Sequence, residues 1–453
     1  MTSLRYIEIM IQIKIIIVVF TKIIPMKKLS LCIFLVLMFS LFTSHSFAET
    51  IPKNDPVPEG VMYRGINEEQ WKTIKKIGDP LNCRKRVYDF QHITDYHVVS
   101  PEDCKKNKHC IQHALDKNKH VKLKEGSYKI YSPIDVYDKV LTGENGNVNI
   151  NAEEVDTAVK VSNGTIANLN INFANDVAVH VKHNSLIYRV VAGNTGVKSL
   201  TTTMGYGFIV WGMNDGKFKD FAGDILLKCK SDFTRTASCY NMNGTLKSKG
   251  DIKYFTKIED KQQITKEMNT FKSCLVSLES FNGYNEATWS SLKKGDQARE
   301  VKMTPRGGNA DGFAIKYGAS DVTLIDTHAH HNSDDGYDFW KGGEESETSA
   351  IRLFYASANF NGKHPTRPNG DGNGYKFGSP NKRQQEKGID KGGRLIYGSV
   401  ACGNKDWGFM RNRSPTKITG LGNESKKNDG GSFQKVSNKK VKDDKNLLKC
   451  SMF

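Results

Sequence analysis

Asn309-Ala310-Asp311-Gly312-Phe313-Ala314 sets a pattern that returns at Asp335-Gly336-Tyr337-Asp338, Gly374-Tyr375-Lys376 and Gly408-Phe409-Met410. The glycines lie 24, 38 and 34 residues apart. Each glycine–aromatic pair opens a short alternating run. Most are followed by a second run that ends at an asparagine: Val322 to Asn332, Ile351 to Asn361 and Leu395 to Asn404. Period-two alternation bounded by Gly and Asn reads as half-buried strands. A unit of twenty-odd residues, lengthened where one turn carries a larger loop, is the mark of a solenoid. Earlier in the chain, Ala158-Val159-Lys160-Val161 recurs 20 residues on as Ala178-Val179-His180-Val181. Gly and β-branched residues are too frequent for a helical repeat. The expected fold is all-β, a parallel β-helix in which each coil stacks on the last.

Outward from that core the chain divides into four. Residues 1–48 read as a leader, 49–109 as an N-terminal segment, 110–423 as the β-helix and 424–453 as a basic tail or cap. Residues 110–132 read as a short helical cap followed by an alternating strand. Residues 246–272, rich in Lys and Glu, are expected to be an inserted, partly helical excursion. Met26-Lys27-Lys28, the apolar run Leu29 to Phe42 and the small residues before a cut after Ala48 have the layout of a secretory signal peptide, with Met26 as the true start. An uncleaved N-terminal anchor is the alternative.

The 453 residues carry 66 Lys+Arg against 49 Asp+Glu, a net charge of +17. Without the leader the charge is +13 and eight of the nine cysteines remain. An even count in an exported chain suggests disulfides, and Cys104 and Cys110 are close enough to close a small loop. No CxxC occurs, so zinc is not expected. A basic surface suggests an acidic partner: nucleic acid, anionic lipid or acidic polysaccharide. No nucleic-acid-binding motif is recognised, and export argues against that partner. Beyond the leader no segment is long and apolar enough to span a bilayer, so no stable membrane insertion is expected after cleavage.

If the glycine–aromatic pairs mark equivalent places on successive coils, the residues around them form columns about 4.7–4.9 Å apart. Asp311 then stacks on Asp335, and Asp338 on Lys376, with Asp334 beside the first column. Four carboxylates so close repel, and a hard cation resolves this; an all-oxygen set suits Ca²⁺. A solvated acidic turn is the bland alternative. A cation also lowers the pKa of a neighbouring amine, which would make Lys376 a general base. A salt bridge from Lys376 to Asp338 is the other reading.

These residues also resemble a known family. Asn309 to Ala314, Asn332-Ser333-Asp334-Asp335-Gly336-Tyr337-Asp338, Gly372-Asn373-Gly374-Tyr375-Lys376-Phe377-Gly378 and Asn404-Lys405-Asp406-Trp407-Gly408-Phe409 are similar to the signature of family 9 polysaccharide lyases, the pectate lyase type. The resemblance covers about 309–412. It implies a right-handed β-helix in which Asp311, Asp334, Asp335 and Asp338 bind Ca²⁺ and Lys376 is the base of a β-elimination on a uronic-acid polymer. The expected protein is a secreted or periplasmic monomer acting on an acidic polysaccharide.

Lys341, Asn373, Arg394, Arg411 and Arg413 are candidate substrate contacts. Trp340 and Trp407 are candidates to stack on sugar rings. Asn369 to Gly374 lacks the bidentate Glu of a calcium loop and reads as a turn placing Lys376. The cluster His328, His330 and His331 reads as coil surface or substrate contact, with metal binding as the minor alternative. A non-catalytic β-helix that binds polysaccharide, such as an adhesin, and a β-helix glycoside hydrolase are the competing functions. A hydrolase needs two carboxyl groups at a defined gap, one of them protonated, which a tight four-carboxylate cluster serves poorly.

Overall fold

The computed structural model describes residues 65–144, 146–197, 205–211, 215–219, 225–231, 236–240, 246–251, 256–257, 270–284, 310–316, 319–339, 351–363, 369–378, 393–412, 414, 417–441 and 444–452. The leader, Lys341, Trp340, Arg413 and residues 264–268 of the expected helical excursion lie outside the described residues.

Two sheets of parallel strands form the body. One has 16 strands, among them His97–Val99 at one end of its main path and Ser437–Lys439 at the other; the second has nine, from Ile134–Tyr137 to Gly431–Gln434. The chain alternates between them. Phe313–Lys316 lies in the nine-stranded sheet, Ser320–His330 in the long sheet and Tyr337–Asp338 back in the first. Each strand pairs with one a coil away, which is a parallel β-helix. The interior is filled by inward positions of both sheets, such as Val159, Val179, Ile187 and Leu275, all fully buried.

The glycine–aromatic pairs are in register. Phe313 pairs with Tyr337, Tyr337 with Tyr375 and Tyr375 with Phe409. Their rings stack inside the helix with centroids 4.6–4.9 Å apart, and Phe208 and Phe433 extend the stack at either end. That spacing is the strand spacing itself. The preceding glycines are required because the backbone is crowded there. A Cβ on Gly336 would sit 2.8 Å from Asn361 Nδ2 and 2.8 Å from the Gly374 carbonyl.

The asparagines that end the second runs form a ladder in the same way. Asn332 Nδ2 donates to Asn361 Oδ1, Asn361 Nδ2 to Asn404 Oδ1 and Asn404 Nδ2 to Asn428 Oδ1, at 2.8–3.0 Å. Each Oδ1 also accepts the preceding ladder residue's backbone N–H. The ladder thus satisfies the buried polar groups of a turn that leaves the sheet ladder.

Among the described residues, four helices precede or open the coils: α1 (Glu68–Ile77), α2 (Cys83–Gln91), α3 (Pro101–Lys106) and α4 (Cys110–Lys117). α1 begins with a capping box, in which the Asn67 side chain accepts from Gln70 N–H and the Gln70 side chain from Asn67 N–H. α4 is the short helix expected ahead of the strand His120–Leu123, and it caps the first coil. Ile74, Val87 and Phe90 of α1 and α2 pack in one cluster with Tyr188, Val276 and Phe354 of the long sheet. Disulfides join Cys83 to Cys274, Cys104 to Cys110 and Cys402 to Cys450.

The helical stretch expected within 246–272 lies outside the described residues, and the C-terminal residues fold back as a cap. Where it is described, the excursion is not helical: Leu246–Asp251 and Thr256–Lys257 are strands of a five-stranded antiparallel sheet with Asp215–Lys219, Ile225–Ser231 and Thr236–Tyr240. The residues expected as a tail or cap continue the coils through Glu424–Lys426, Gly431–Gln434 and Ser437–Lys439. Beyond them the chain folds back to bury Leu447 and Leu448 and to place Cys450 against Cys402.

Candidate functional site

The outward face of the nine-stranded sheet carries the acidic patch. Strand register brings Ala314, Asp338, Lys376 and Met410 into one row across four coils. Asp311 and Asp335 lie just before the paired glycines of their strands, as expected from the spacing. All four aspartates are buried: Asp311 and Asp335 completely, Asp334 and Asp338 nearly so. Carboxylate oxygens of Asp311, Asp335 and Asp338 lie within 4.8 Å of one another. Those of Asp334, Asp335 and Asp371 form a second group at the same separation, so Asp335 belongs to both.

Backbone and amide donors hold this arrangement. Asp335 N–H donates to Asp311 Oδ1 at 3.1 Å. Asn373 gives both its backbone N–H and its side-chain amide to Asp335 Oδ1, at 2.7 and 2.9 Å. Asp371 N–H donates to Asp334 Oδ1 at 2.8 Å. Asn373 therefore positions a carboxylate of the patch.

Two lysines serve the patch. Lys376 Nζ lies 3.0 Å from Asp335 Oδ2 and 2.7 Å from Asp371 Oδ2. Lys316 Nζ lies 2.8 Å from both Asp311 Oδ2 and Asp338 Oδ2, and 3.1 Å from the Tyr206 hydroxyl. Burial disfavours both ammoniums, but the surrounding carboxylates outweigh it and hold both pKa values above the ordinary lysine range. Burial pushes Asp311 up to about 7 against the pull of Lys316, and it raises Asp335 against the pull of Lys376. Asp371 keeps a lowered pKa: burial opposes its charge, and Lys376 overcomes it.

Lys316 and Asp371 were not singled out from the sequence, yet both left a signal. Lys316 stands two residues after Ala314, so strand alternation puts it on the face of the row. Asp371 sits in the Gly-rich turn ahead of Lys376. That turn does position the lysine, through the Asp371 contact.

The remaining candidates are scattered. Arg394 is buried at the start of the long-sheet strand Arg394–Tyr397, in register with Ile351 and Ile418. Arg411 follows the row at Met410, and its Nε donates to the Ser414 carbonyl at 2.8 Å. Trp407 packs over Gly431, whose Cβ would lie 2.6 Å from the indole. His328 and His330 are not surface, whereas His331 is half-buried. His328 is buried between Asp326 and Ser357 (2.9 and 2.8 Å), and His330 between Glu279 and His331 (2.8 and 2.9 Å). Each ring thus completes a hydrogen-bonded network on the long sheet.

The donor set fits a hard cation. It is all oxygen and densely carboxylate, and Asp338 Oδ1 is buried with no hydrogen-bond partner. An orphaned carboxylate oxygen in such a place is costly unless a cation or water meets it.

Fold and patch together define the class: a parallel β-helix bearing a buried carboxylate–lysine patch on one sheet. Residues 230–446 match the family model described as "Pel9A-like, right handed beta helix region". Among solved structures, the pectate lyase Pel9A is 14% identical with a TM-score of 0.47, over 78% of each chain. A rhamnogalacturonan lyase is 14% identical with a TM-score of 0.38, over 79% of this chain and 86% of that one. An alginate lyase from Paenibacillus sp. str. FPU-7 is 11% identical with a TM-score of 0.35, over 76% of this chain and 99% of that one. No curated protein matches the chain. Likenesses this distant say nothing of the chemistry.

Proposed function

We propose that this chain is a secreted or periplasmic, Ca²⁺-dependent lyase that cleaves a uronic-acid polysaccharide by β-elimination. The observation that carries the reading is the row that sets Asp338 and Lys376 on adjacent coils, with Asp311, Asp334 and Asp335 closing one acidic patch around them. Asp311, Asp335 and Asp338 would hold the ion, with Asp334 beside them. When bound, Ca²⁺ supplies the positive charge that draws on the sugar carboxylate and acidifies the proton at C5. Lys376 Nζ takes that proton. The C5–H electrons become the C4=C5 double bond as the C4–O bond breaks, and solvent protonates the departing oxygen. Lys376 must be neutral to accept the proton, and a cation on the same carboxylates moves its pKa in that direction. The disulfides among the described residues and the basic net charge support an exported protein that meets a polyanion.

The test is incubation of the purified protein with polygalacturonate, alginate and glucuronate polymers, with and without chelator. A lyase yields an ultraviolet-absorbing unsaturated product that disappears when Ca²⁺ is removed. Reducing ends without that absorbance would instead identify a hydrolase, and binding without cleavage an adhesin-like protein.

A further inference from the structure

We propose that Lys316 is a built-in counter-cation that competes with the metal for Asp311 and Asp338, so that a lysine sets the affinity of this chain for calcium. The proposal rests on the calcium reading above and adds to it a second lysine of the patch.

Lys316 closes the strand Phe313–Lys316 and is only 4% exposed. Its ammonium meets one oxygen of Asp311 and one of Asp338 at the same 2.8 Å. Tyr206, the register neighbour of Asp311 a coil earlier, holds the ammonium from the other side. Its hydroxyl is 3.1 Å from Nζ and its ring centroid 4.6 Å away. Lys316 is therefore fixed over the two carboxylates rather than reaching them from solvent. It is also separate from Lys376, whose ion-pair contacts are Asp335 and Asp371.

Calcium takes six to eight oxygen ligands, carboxylates among them, at about 2.3–2.6 Å. Asp338 Oδ1 is open to it, but Asp338 Oδ2 and Asp311 Oδ2 already face an ammonium. Two cations on one buried carboxylate pair repel with little screening. The metal must therefore displace the ammonium or share its oxygens. Either way, binding is weaker than the carboxylate count suggests. A lysine with a purely structural role makes the opposite forecast: its loss disorders the carboxylates and weakens binding.

The experiment uses the full exported chain as wild type, Lys316→Met and Lys316→Arg. Methionine keeps the stem against Tyr206 without the charge, and arginine keeps the charge. Ca²⁺ is titrated into metal-stripped protein by calorimetry, and thermal unfolding is followed in chelator and in excess Ca²⁺. Lys316→Met is expected to bind Ca²⁺ on the order of tenfold more tightly than wild type, and Lys316→Arg to stay within about twofold of it. Lys316→Met should also melt lower in chelator and recover in Ca²⁺, and folding only with Ca²⁺ counts in favour. Equal or weaker binding by Lys316→Met, an equal gain in Lys316→Arg, or failure of Lys316→Met to fold even with Ca²⁺ overturns the proposal. If wild type binds Ca²⁺ and cleaves substrate while Lys316→Met shows no gain, only this proposal falls. If neither folded protein binds Ca²⁺, the calcium reading falls with it.

Discussion

Asp338 and Lys376 are paired on neighbouring strands of the nine-stranded sheet, yet their ion-pair contacts are with other residues. Asp338 faces Lys316, while Lys376 reaches across to Asp335 and Asp371. The patch is thus two half-sites, each with its own lysine, joined through Asp335. The simple salt bridge between Asp338 and Lys376 that the spacing allows is not what forms. Lys376 lies against the carboxylate that the Asn373 amide also holds, so base and acidic patch are positioned by one set of bonds.

Lys376→Ala is expected to lower lyase activity by about 10²–10⁴-fold, the usual contribution of a positioned general base. Lys376→Arg should lose as much, because a guanidinium keeps its charge and cannot accept the proton. Initial rates of unsaturated-product formation, with circular dichroism to show retained fold, check both. Full activity in Lys376→Ala would remove the assigned mechanism while leaving the reaction class open.

Asn361 is a test of the ladder. It is fully buried, donates to Asn404 Oδ1 and the Ala329 carbonyl, and accepts from the Asn332 amide and backbone N–H. Asn361→Ala leaves these partners without replacement. Orphaned buried groups cost about 1–3 kcal/mol each, so a loss of about 3 kcal/mol is expected by urea denaturation. Asn361→Asp should lose at least as much, since a carboxylate cannot donate to Asn404 Oδ1.

Much of this was legible because a β-helix writes its geometry as repetition. Gly312, Gly336, Gly374 and Gly408 are equivalent places, and counting from them stacks Asp311 on Asp335 and Asp338 on Lys376. The asparagines at 332, 361 and 404 were visible for the same reason. The ion-pair partners were not. Register fixes which Cα atoms are neighbours, but Lys316 and Lys376 have long stems that reach past the nearest residue to the carboxylate with the best remaining bonds. The histidines at 328 and 330 misled because their partners, Glu279 and Ser357, lie on other coils with no motif to mark them. The antiparallel strands between Asp215 and Lys257 were not legible because their pairing repeats nothing in the coils.

Gly336→Ala tests whether the glycine column is a packing requirement. The added methyl would meet Asn361 Nδ2, the Gly374 carbonyl and the Ala358 Cβ at 2.8–3.0 Å. Two of these atoms belong to fixed parts of the ladder and sheet. Overpacking of this kind costs about 1–3 kcal/mol. The change also sits next to Asp335, so lyase activity should fall with stability. A drop in Tm together with weaker Ca²⁺ binding is the expected result, and unchanged values for both would show that the coil relaxes freely.

His180 gives the chain a pH dependence away from the acidic patch. It pairs in register with Lys160 and lies two residues before Lys182. Desolvation of this half-buried ring, reinforced by the Lys182 and Lys160 ammoniums, pushes its pKa down to about 3. The folded-state value lies below the unfolded one of about 6.5, so the folded state binds fewer protons between the two. The stability this neutral ring allows is present above pH 6.5 and is lost as pH falls from there towards 3. Asp311 has the opposite sign: its raised pKa favours the folded state below about pH 4 and withdraws that support as pH rises through about 7. Comparing His180→Gln with its parent cancels the carboxylate contribution. Between pH 6.5 and pH 4, the Tm of the variant should fall less than that of the parent, by about 2 °C. Parallel curves would show that His180 takes up its proton in the folded protein as readily as in the unfolded chain.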